Sequence, residues 1–149
     1  MQTKPERNQS AHWLWVVMSV ATLFVGCSKA QEPWEKVYPA TGIVKYQGKP
    51  LAGAMITLIP EDTSFPKSVR PTAVTDADGE FEIGTYSTGD GAPAGSYKVI
   101  VVHFPVEGSE ENPHAGPNDL PAKYAKAETT DLKVTIEEEE TALRPLELE

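Results

Sequence analysis

Hydrophobic and polar residues alternate in short runs along most of the chain. Phe81 and Ile83 are interleaved with Glu80 and Glu82, the pattern of a strand with one buried and one solvated face. No long segment of the sequence has the 3.6-residue period of an amphipathic helix. Turn residues separate seven runs that we predict as strands, near 38–46, 54–59, 72–76, 80–83, 96–104, 132–137 and 143–149. The pattern predicts an all-β fold, a single antiparallel β-sandwich of about seven strands.

The run "SYKVIVVHF", residues 96–104, is the most apolar of these strands, and we predict a central position for it. The last two runs, "LKVTIE" and "LRPLELE", are predicted to form the closing pair of strands. Between them, Glu137 to Glu140 indicate a solvated turn. The interval 105–130 is rich in proline and polar residues, so we predict a long irregular loop there and a candidate contact surface.

The N-terminal segment has a different pattern. Lys4 and Arg7 precede thirteen uncharged residues, "WLWVVMSVATLFV", a run shorter than the roughly 20 residues that span a bilayer. A charged start and a short apolar core are typical of a secretory signal peptide, and a buried helix is the alternative. We predict a signal peptide over residues 1–26, a polar tether over 27–36 and one domain over 37–149, hence an exported protein.

Cys27 is the single cysteine of the chain and directly follows the apolar run in "LFVGC". The stretch resembles a lipobox, in which a small residue such as Gly26 precedes the cysteine that receives the lipid and becomes the first residue. The rival route is ordinary cleavage after Ala30, with Ser28 and Ala30 as the small pair, which discards the cysteine. We favour lipidation of Cys27, which would hold the protein at an envelope membrane, periplasmic or at the cell surface.

The negative net charge of the chain limits the classes of molecule that it can bind. The whole chain carries a formal net charge of −9. Eleven basic and 21 acidic residues follow Gly26, a net charge of −10. An acidic chain with scattered lysines repels phosphate backbones and anionic lipid headgroups, so we expect no nucleic-acid partner. The expected partners are a membrane, reached through the lipid, and an envelope protein or polysaccharide.

Five stretches occur in order at domain-like spacing: "ATGIVKYQGKPLAGAMITLIP", "AVTDADGEFEIGTY", "GDGAPAGSYKVIV", "LPAKYAKAETTDLKVTIEE" and "LRPLELE". Together they resemble the carboxypeptidase regulatory-like, transthyretin-like β-sandwich domains, above all the small lipoproteins of that type abundant in planctomycete-like bacteria. The resemblance implies a fold and a location. It implies no chemistry, because the shared glycines and prolines mark turns.

Residues able to carry chemistry are few after the predicted signal. His103 lies in the strongest predicted strand, and we interpret it as a partly buried strand-end residue. His114 lies near Glu110, Glu111 and Asp119, a set that could form a metal site, although an acidic soluble loop is the simpler interpretation. The stretch "DADGE" from Asp76 shares its start with a calcium-binding loop, but the pair Asp78-Gly79 favours a hairpin turn.

No G-x-S-x-G nucleophile motif is present, and the chain ends "LELE" where transthyretin-related hydrolases carry a different tail. We therefore predict no catalytic residues, no cofactor and no metal, and a non-enzymatic, lipid-anchored binding or structural protein. One alternative is a metal-binding protein or enzyme using His103 and His114. The other is a carbohydrate-binding module with Trp34 or Tyr124 as the stacking surface. The sequence does not identify the ligand-binding residues.

Overall fold

The computed structural model describes residues 36–62 and 70–149. Its strands are β1 Val37–Tyr38, β2 Ala40–Tyr46, β3 Lys49–Pro50, β4 Ala54–Pro60, β5 Thr72–Val74, β6 Glu80–Glu82, β7 Ala92–Pro93, β8 Gly95–His103, β9 Val106–Ser109, β10 Asn112–Ala115, β11 Lys133–Ile136, β12 Thr141–Ala142 and β13 Leu146–Leu148. A 3-10 helix spans Ala122–Ala125, and it is the one helical element in these two ranges. The described part of the chain is therefore almost entirely β, as the alternation predicts.

The first sheet has four antiparallel strands in the order β11-β8-β4-β5. Strand β4 pairs along its whole length with β8, from Ala54 opposite His103 to Pro60 opposite Tyr97. The predicted central position of the 96–104 run is confirmed, because β8 lies between β4 and β11. Its apolar composition follows from this place: Tyr97 and Val99 face the core, while partly buried residues occupy the other face.

The second sheet is built around β2. Strands β12 and β13 pair with one side of β2 in parallel, and β3 and β6 pair with its other side in antiparallel fashion. Two further antiparallel pairs, β1 with β7 and β9 with β10, complete the described structure. The parallel pairs are the exception to an otherwise antiparallel fold, and their order could not be read from periodicity.

The inward faces of both sheets contribute to one hydrophobic core. Phe81 and Ile83 are buried and Glu80 and Glu82 exposed, as the alternation predicts. The largest fully buried side chains come from both sheets and from the 3-10 helix: Tyr97, Tyr124, Ile56, Leu58, Ile83, Ile136, Leu148, Val44, Val99 and Val101. Two sheets that bury their inner faces against each other form a β-sandwich, which is the predicted fold class.

The predicted closing pair of strands is divided between the two sheets. Strand β11 pairs with β8 in the first sheet, and β13 pairs with β2 in the second. The exposed turn 137–140 carries the chain across, where Thr141 accepts a hydrogen bond from the Glu137 amide at 3.2 Å. The four glutamates are solvated, as expected, but the strands that flank them do not pair with each other. The alternation of apolar and polar residues determines which face of a strand is buried, but it does not determine which strand lies beside it.

The Asp78-Gly79 turn is also a crossing between sheets. Strand β5 before it pairs with β4, and β6 after it pairs with β2. The Asp76 carboxylate accepts hydrogen bonds from the amides of Asp78 and Glu80, both at 2.9 Å, so it stabilises the turn. A turn is present at Asp78-Gly79, but the predicted hairpin is not formed, because β5 and β6 pair in different sheets and only a single bridge between Thr72 and Gly84 joins them.

The interval 105–130 is more ordered than its composition suggests. It contains the β9–β10 hairpin and the 3-10 helix, in place of the long irregular loop that we predicted. Two prolines do not interrupt this arrangement: Pro113 lies within β10, opposite Gly108, and Pro121 precedes the helix. Proline-rich composition misleads here because a two-stranded hairpin leaves outer edges that need no amide donor.

Candidate functional site

A cleft of about 910 Å³ lies at the side of the sandwich where β5 and β6 run next to each other. Its floor includes cross-strand pairs on the outer face of the second sheet, with Thr41 opposite Glu82 and Ile43 opposite Glu80. The lining includes two aromatic residues, the buried Phe81 and the exposed Tyr86. Its hydroxyl and carboxylate groups come from Thr41, Thr72, Asp76, Glu80, Glu82, Thr85, Ser87 and Thr88. Lysine and arginine are absent from the lining that the structure describes, so the cleft is acidic.

One wall of the cleft is the loop 84–91, which Asp90 holds in shape. The Asp90 carboxylate accepts hydrogen bonds from the amides of Thr85 at 2.7 Å, Tyr86 at 3.1 Å and Ser87 at 3.0 Å. The Thr85 hydroxyl closes the loop by donating to the Gly91 carbonyl at 2.6 Å. Amides that would otherwise need water are satisfied inside the loop, which gives the wall a fixed conformation.

These hydrogen bonds set the charge of the wall. Burial raises the pKa of Asp90, but the amide hydrogen bonds from Thr85, Ser87 and Tyr86 act in the opposite direction and leave the pKa below its ordinary value. Because a carboxylate that accepts several amide hydrogen bonds is favoured in its charged form, Asp90 is ionised at neutral pH. It adds one more negative charge beside the cleft.

Gly91 anchors the end of the same loop against β1. Its φ of +98° lies in the left-handed region, and a Cβ atom there would overlap the carbonyl oxygen of Tyr38. Glycine is therefore required at position 91 for two reasons, the positive φ and the close approach of the Tyr38 carbonyl. After the loop, the Tyr97 hydroxyl donates a hydrogen bond to the Pro93 carbonyl at 2.7 Å, which stabilises the chain between these two residues.

Tyr86 is the exposed aromatic residue of the described cleft lining. Its side chain is 37 % exposed and sits on the ordered loop 84–91. The aromatic surfaces expected from the sequence do not take this role. Tyr124 is only 2 % exposed, and its hydroxyl accepts the amide hydrogen of Glu149 at 3.0 Å, so it is a core residue and not a stacking surface. Trp34 lies outside the described residues.

His103 and His114 contact different carboxylates. His103 lies 2.8 Å from Asp119 through Nδ1, and its amide donates to the Asn118 side chain at 2.9 Å. His114 is exposed on β10 with Nε2 3.9 Å from Glu107. Asp119, expected beside His114, is thus placed beside His103. Within residues 36–62 and 70–149, no three His, Cys, Asp or Glu side chains form a group suited to a metal ion.

The predictions for the N-terminal segment lie outside the described residues. They include the signal peptide 1–26, the cleavage residues Gly26 and Cys27, the rival site at Ala30, and the tether up to residue 35. In the part of the chain that the structure does describe, no helix has the length and hydropathy needed to cross a membrane. The lipidation site therefore stays a sequence-based prediction.

Sequence reasoning missed the cleft and Tyr86. The available signal was local: the stretch "STGDGAPAG" after Tyr86 has the glycines and the aspartate of a tight loop, and Asp90 in it caps the amides. The floor of the cleft gave no such signal, because its residues come from β2, β5 and β6, which are far apart in sequence and adjacent only in the folded domain.

Comparison with known proteins gives little further information. No family model and no curated protein matches the chain. Among solved structures, a 9R-lipoxygenase from Cyanothece PCC8801 is 18% identical with a TM-score of 0.41, over 79% of this chain and 17% of its own. A DUF3823 family protein from Parabacteroides merdae ATCC 43184 is 15% identical with a TM-score of 0.36, over 74% of this chain and 46% of its own. The chain thus spans less than half the length of either protein.

Proposed function

We propose that the chain is a non-enzymatic lipoprotein of the cell envelope whose β-sandwich binds a polysaccharide. A lipid on Cys27 holds it at a membrane, and the cleft between β5 and β6 receives the sugar. The observation that carries the proposal is the lining of the cleft, which combines the exposed Tyr86 on an ordered loop with carboxylate and hydroxyl groups. An aromatic face with nearby polar groups suits a sugar ring, which has apolar C–H faces and a polar rim.

The proposed sugar chemistry follows from charge. The cleft presents Glu80 and Glu82 on its floor and contains no basic side chain in its described lining. Carboxylates accept hydrogen bonds from sugar hydroxyls, and they attract an ammonium group if the sugar is an unacetylated amino sugar. Acidic polysaccharides are disfavoured because the domain as a whole is negatively charged. We expect neutral or amino-sugar polymers to bind and uronic-acid polymers not to bind.

Carbohydrate arrays and depletion assays with insoluble envelope polysaccharide test the cleft. Tyr86→Ala should weaken binding by about tenfold, which corresponds to about 1.4 kcal/mol, while Tyr86→Phe keeps the ring and most of the affinity. Glu82→Gln tests the carboxylate, and Thr135→Ala, at an exposed position of β11, is the control. Equal binding by Tyr86→Ala and the unmodified protein would refute this site.

The anchor is supported by the position of Cys27 after a short apolar run and behind Gly26. Labelling cells with a radioactive fatty acid tests it directly. The unmodified chain and an Ala30→Glu variant, which removes the rival cleavage site, should both carry label and sediment with membranes. Cys27→Ser should lose the label. A labelled Cys27→Ser protein, or a soluble product beginning at Gln31, would contradict the anchor.

Membership of the carboxypeptidase regulatory-like, transthyretin-like group belongs to the same proposal. The ordered turn motifs and the two-sheet sandwich support it. The metal-binding alternative ranks lower, because His103 and His114 contact different carboxylates, Asp119 and Glu107. Metal analysis of the purified chain and of His114→Ala distinguishes the two, since stoichiometric metal lost in the variant would favour the alternative.

A further inference from the structure

Strands β5 and β6 run side by side at the cleft and are joined at two places. At one, the amides of Thr72 and Gly84 each donate to the carbonyl of the other at 2.9 Å. At the other, the Asp76 amide donates to the Glu80 carbonyl at 2.8 Å, and the Asp76 carboxylate accepts the Glu80 amide hydrogen at 2.9 Å. The boundary between the two sheets is therefore closed at both ends of the β5–β6 contact.

Val74 and Glu82 lie between these two closures. Each is two residues away from either closure along its own strand, so in an antiparallel arrangement the two residues lie opposite each other. Val74 pairs with β4 and Glu82 pairs with β2, but the structure forms no pair between Val74 and Glu82. We call this unpaired position the open seam.

The main-chain groups of Val74 and Glu82 point into the open seam. The Thr75 amide donates to a carbonyl of β4, and because neighbouring residues of a strand alternate in direction, the N–H and C=O of Val74 point away from β4. The Ile83 amide donates to a carbonyl of β2, so the same groups of Glu82 point away from β2. A closed pair would exchange two hydrogen bonds across the seam, and these are not both formed. The main chain there needs water or a ligand as its partner.

The open seam is part of the cleft. Val74 and Glu82 both line the cleft, and so do the residues of both closures. The Val74 side chain is 61 % exposed, so it presents an apolar surface to the cleft. A Cβ atom on Gly89 would lie 2.9 Å from the Glu82 carboxylate, which shows that this carboxylate reaches the loop that carries Tyr86. The seam thus combines main-chain donors and acceptors with an apolar side chain and a carboxylate.

We infer that a sugar hydroxyl bridges the open seam, accepting a hydrogen bond from the Val74 N–H and donating one to the Glu82 C=O. A hydroxyl both donates and accepts, so a single group satisfies two main-chain groups that the seam leaves unpaired. The exposed Val74 side chain offers an apolar contact to the C–H face of the same ring, which brings the hydroxyls of that ring next to the Val74 amide. The inference rests on the proposed polysaccharide function and adds to it a main-chain contact.

Amide hydrogen exchange of the full-length chain, followed by nuclear magnetic resonance in detergent, tests the contact directly. The probes are a soluble glucosamine oligomer and a soluble glucose oligomer, each added to saturation. With a probe that binds, exchange at the Val74 amide should slow by about tenfold or more. The Thr72 amide is the control, because it is already bonded to Gly84 and should change less. Unchanged exchange at Val74 in the saturated protein would overturn the inference, and binding of neither probe would overturn it together with the proposed function.

Proline substitution tests the same contact through affinity. Val74→Pro removes an N–H that β4 does not use, so the hydrogen bonds between β5 and β4 are kept. Calorimetric titration with the probe should show binding weakened about fivefold, the effect of one hydrogen bond. Val74→Ile keeps the N–H and an apolar side chain and should bind like the unmodified chain. Thr135→Pro is the matched control, because Thr135 is exposed on β11 and its N–H also points away from the neighbouring strand.

The inference and the proposed function fail in different ways. Near-ultraviolet circular dichroism first shows which variants are folded. If Tyr86→Ala loses affinity and folded Val74→Pro does not, the sugar lies in the cleft but not on the seam, and only the inference is overturned. If neither variant loses affinity, both are overturned. If Val74→Pro does not fold, exchange at the Val74 amide of the unmodified chain decides between the outcomes.

Discussion

Two connections, the loop 84–91 between β6 and β7 and the β9–β10 hairpin after β8, differ in how they are held. The loop 84–91 is closed by three amide hydrogen bonds to Asp90 and by the contact of Gly91 with β1. The β9–β10 hairpin pairs only with itself among the described strands, and all of its strand residues are exposed. Its base is tied by the Gly116 amide, which donates to the Pro105 carbonyl at 2.7 Å.

The difference separates two kinds of surface. The loop 84–91 depends on the rest of the domain, so its shape is as stable as the core that it contacts. An isolated two-stranded hairpin has only marginal stability of its own. The loop 84–91 holds Tyr86 at the cleft in the first way. The hairpin presents exposed residues on a segment that is held in the second way.

The largest expected effect comes from two matched glycine substitutions, measured by urea denaturation. Gly91→Ala places a Cβ on the Tyr38 carbonyl at φ +98° and should destabilise the domain by about 3–5 kcal/mol. Gly108→Ala meets the Asn112 carbonyl at a similar φ of +93°, but it should open only the hairpin. Equal losses in global stability would show that the hairpin belongs to the cooperative core.

Removal of one carboxylate should have the next largest effect. Asp90→Ala deprives three amides of their acceptor and should cost about 1–2 kcal/mol, since water replaces part of the loss at this partly exposed position. Glu107→Ala in the hairpin should change stability by less than about 0.5 kcal/mol. Hydrogen exchange at Thr85 and Ser87 locates the effect, and unchanged exchange there in Asp90→Ala would contradict our account of the loop.

The loop 84–91 should lose stability in acid. Because the pKa of Asp90 is lower in the folded chain than its ordinary value of 3.8, the carboxylate stabilises the folded state above that value. This contribution is lost as the pH falls through the lower, folded value. The unfolding free energy of Asp90→Asn should therefore fall less steeply below about pH 4 than that of the unmodified chain. Parallel pH profiles would exclude this role.

The smallest expected effect is that of His114→Ala. The imidazole is 64% exposed and lies 3.9 Å from Glu107, so the pair contributes little in water. We expect a change below about 0.5 kcal/mol in the free energy of unfolding at pH 7. A larger loss would show that the contact between His114 and Glu107 helps to hold the hairpin, which would narrow its difference from the loop 84–91.

Short-range features of the fold were predictable from the sequence. The alternation around Phe81 fixed which side chains are buried, because a strand turns successive residues to opposite faces. Asp78-Gly79 marked a turn, because glycine accepts the positive φ of 74° that the turn requires. The apolar run 96–104 indicated a central strand, because β8 has a neighbouring strand at each edge, one buried face and a second face that is partly buried.

Tertiary structure alone decided the pairing of the strands and the position of the cleft. The parallel pairing of β13 with β2 joins residues about a hundred positions apart, while β11 pairs with β8 in the other sheet. Tyr124 lies in a polar, proline-rich segment whose composition predicts an exposed loop. It is nevertheless buried, and its hydroxyl accepts a hydrogen bond from the amide of Glu149. Periodicity determines the face of each strand, and the packing of two sheets determines which faces and edges meet.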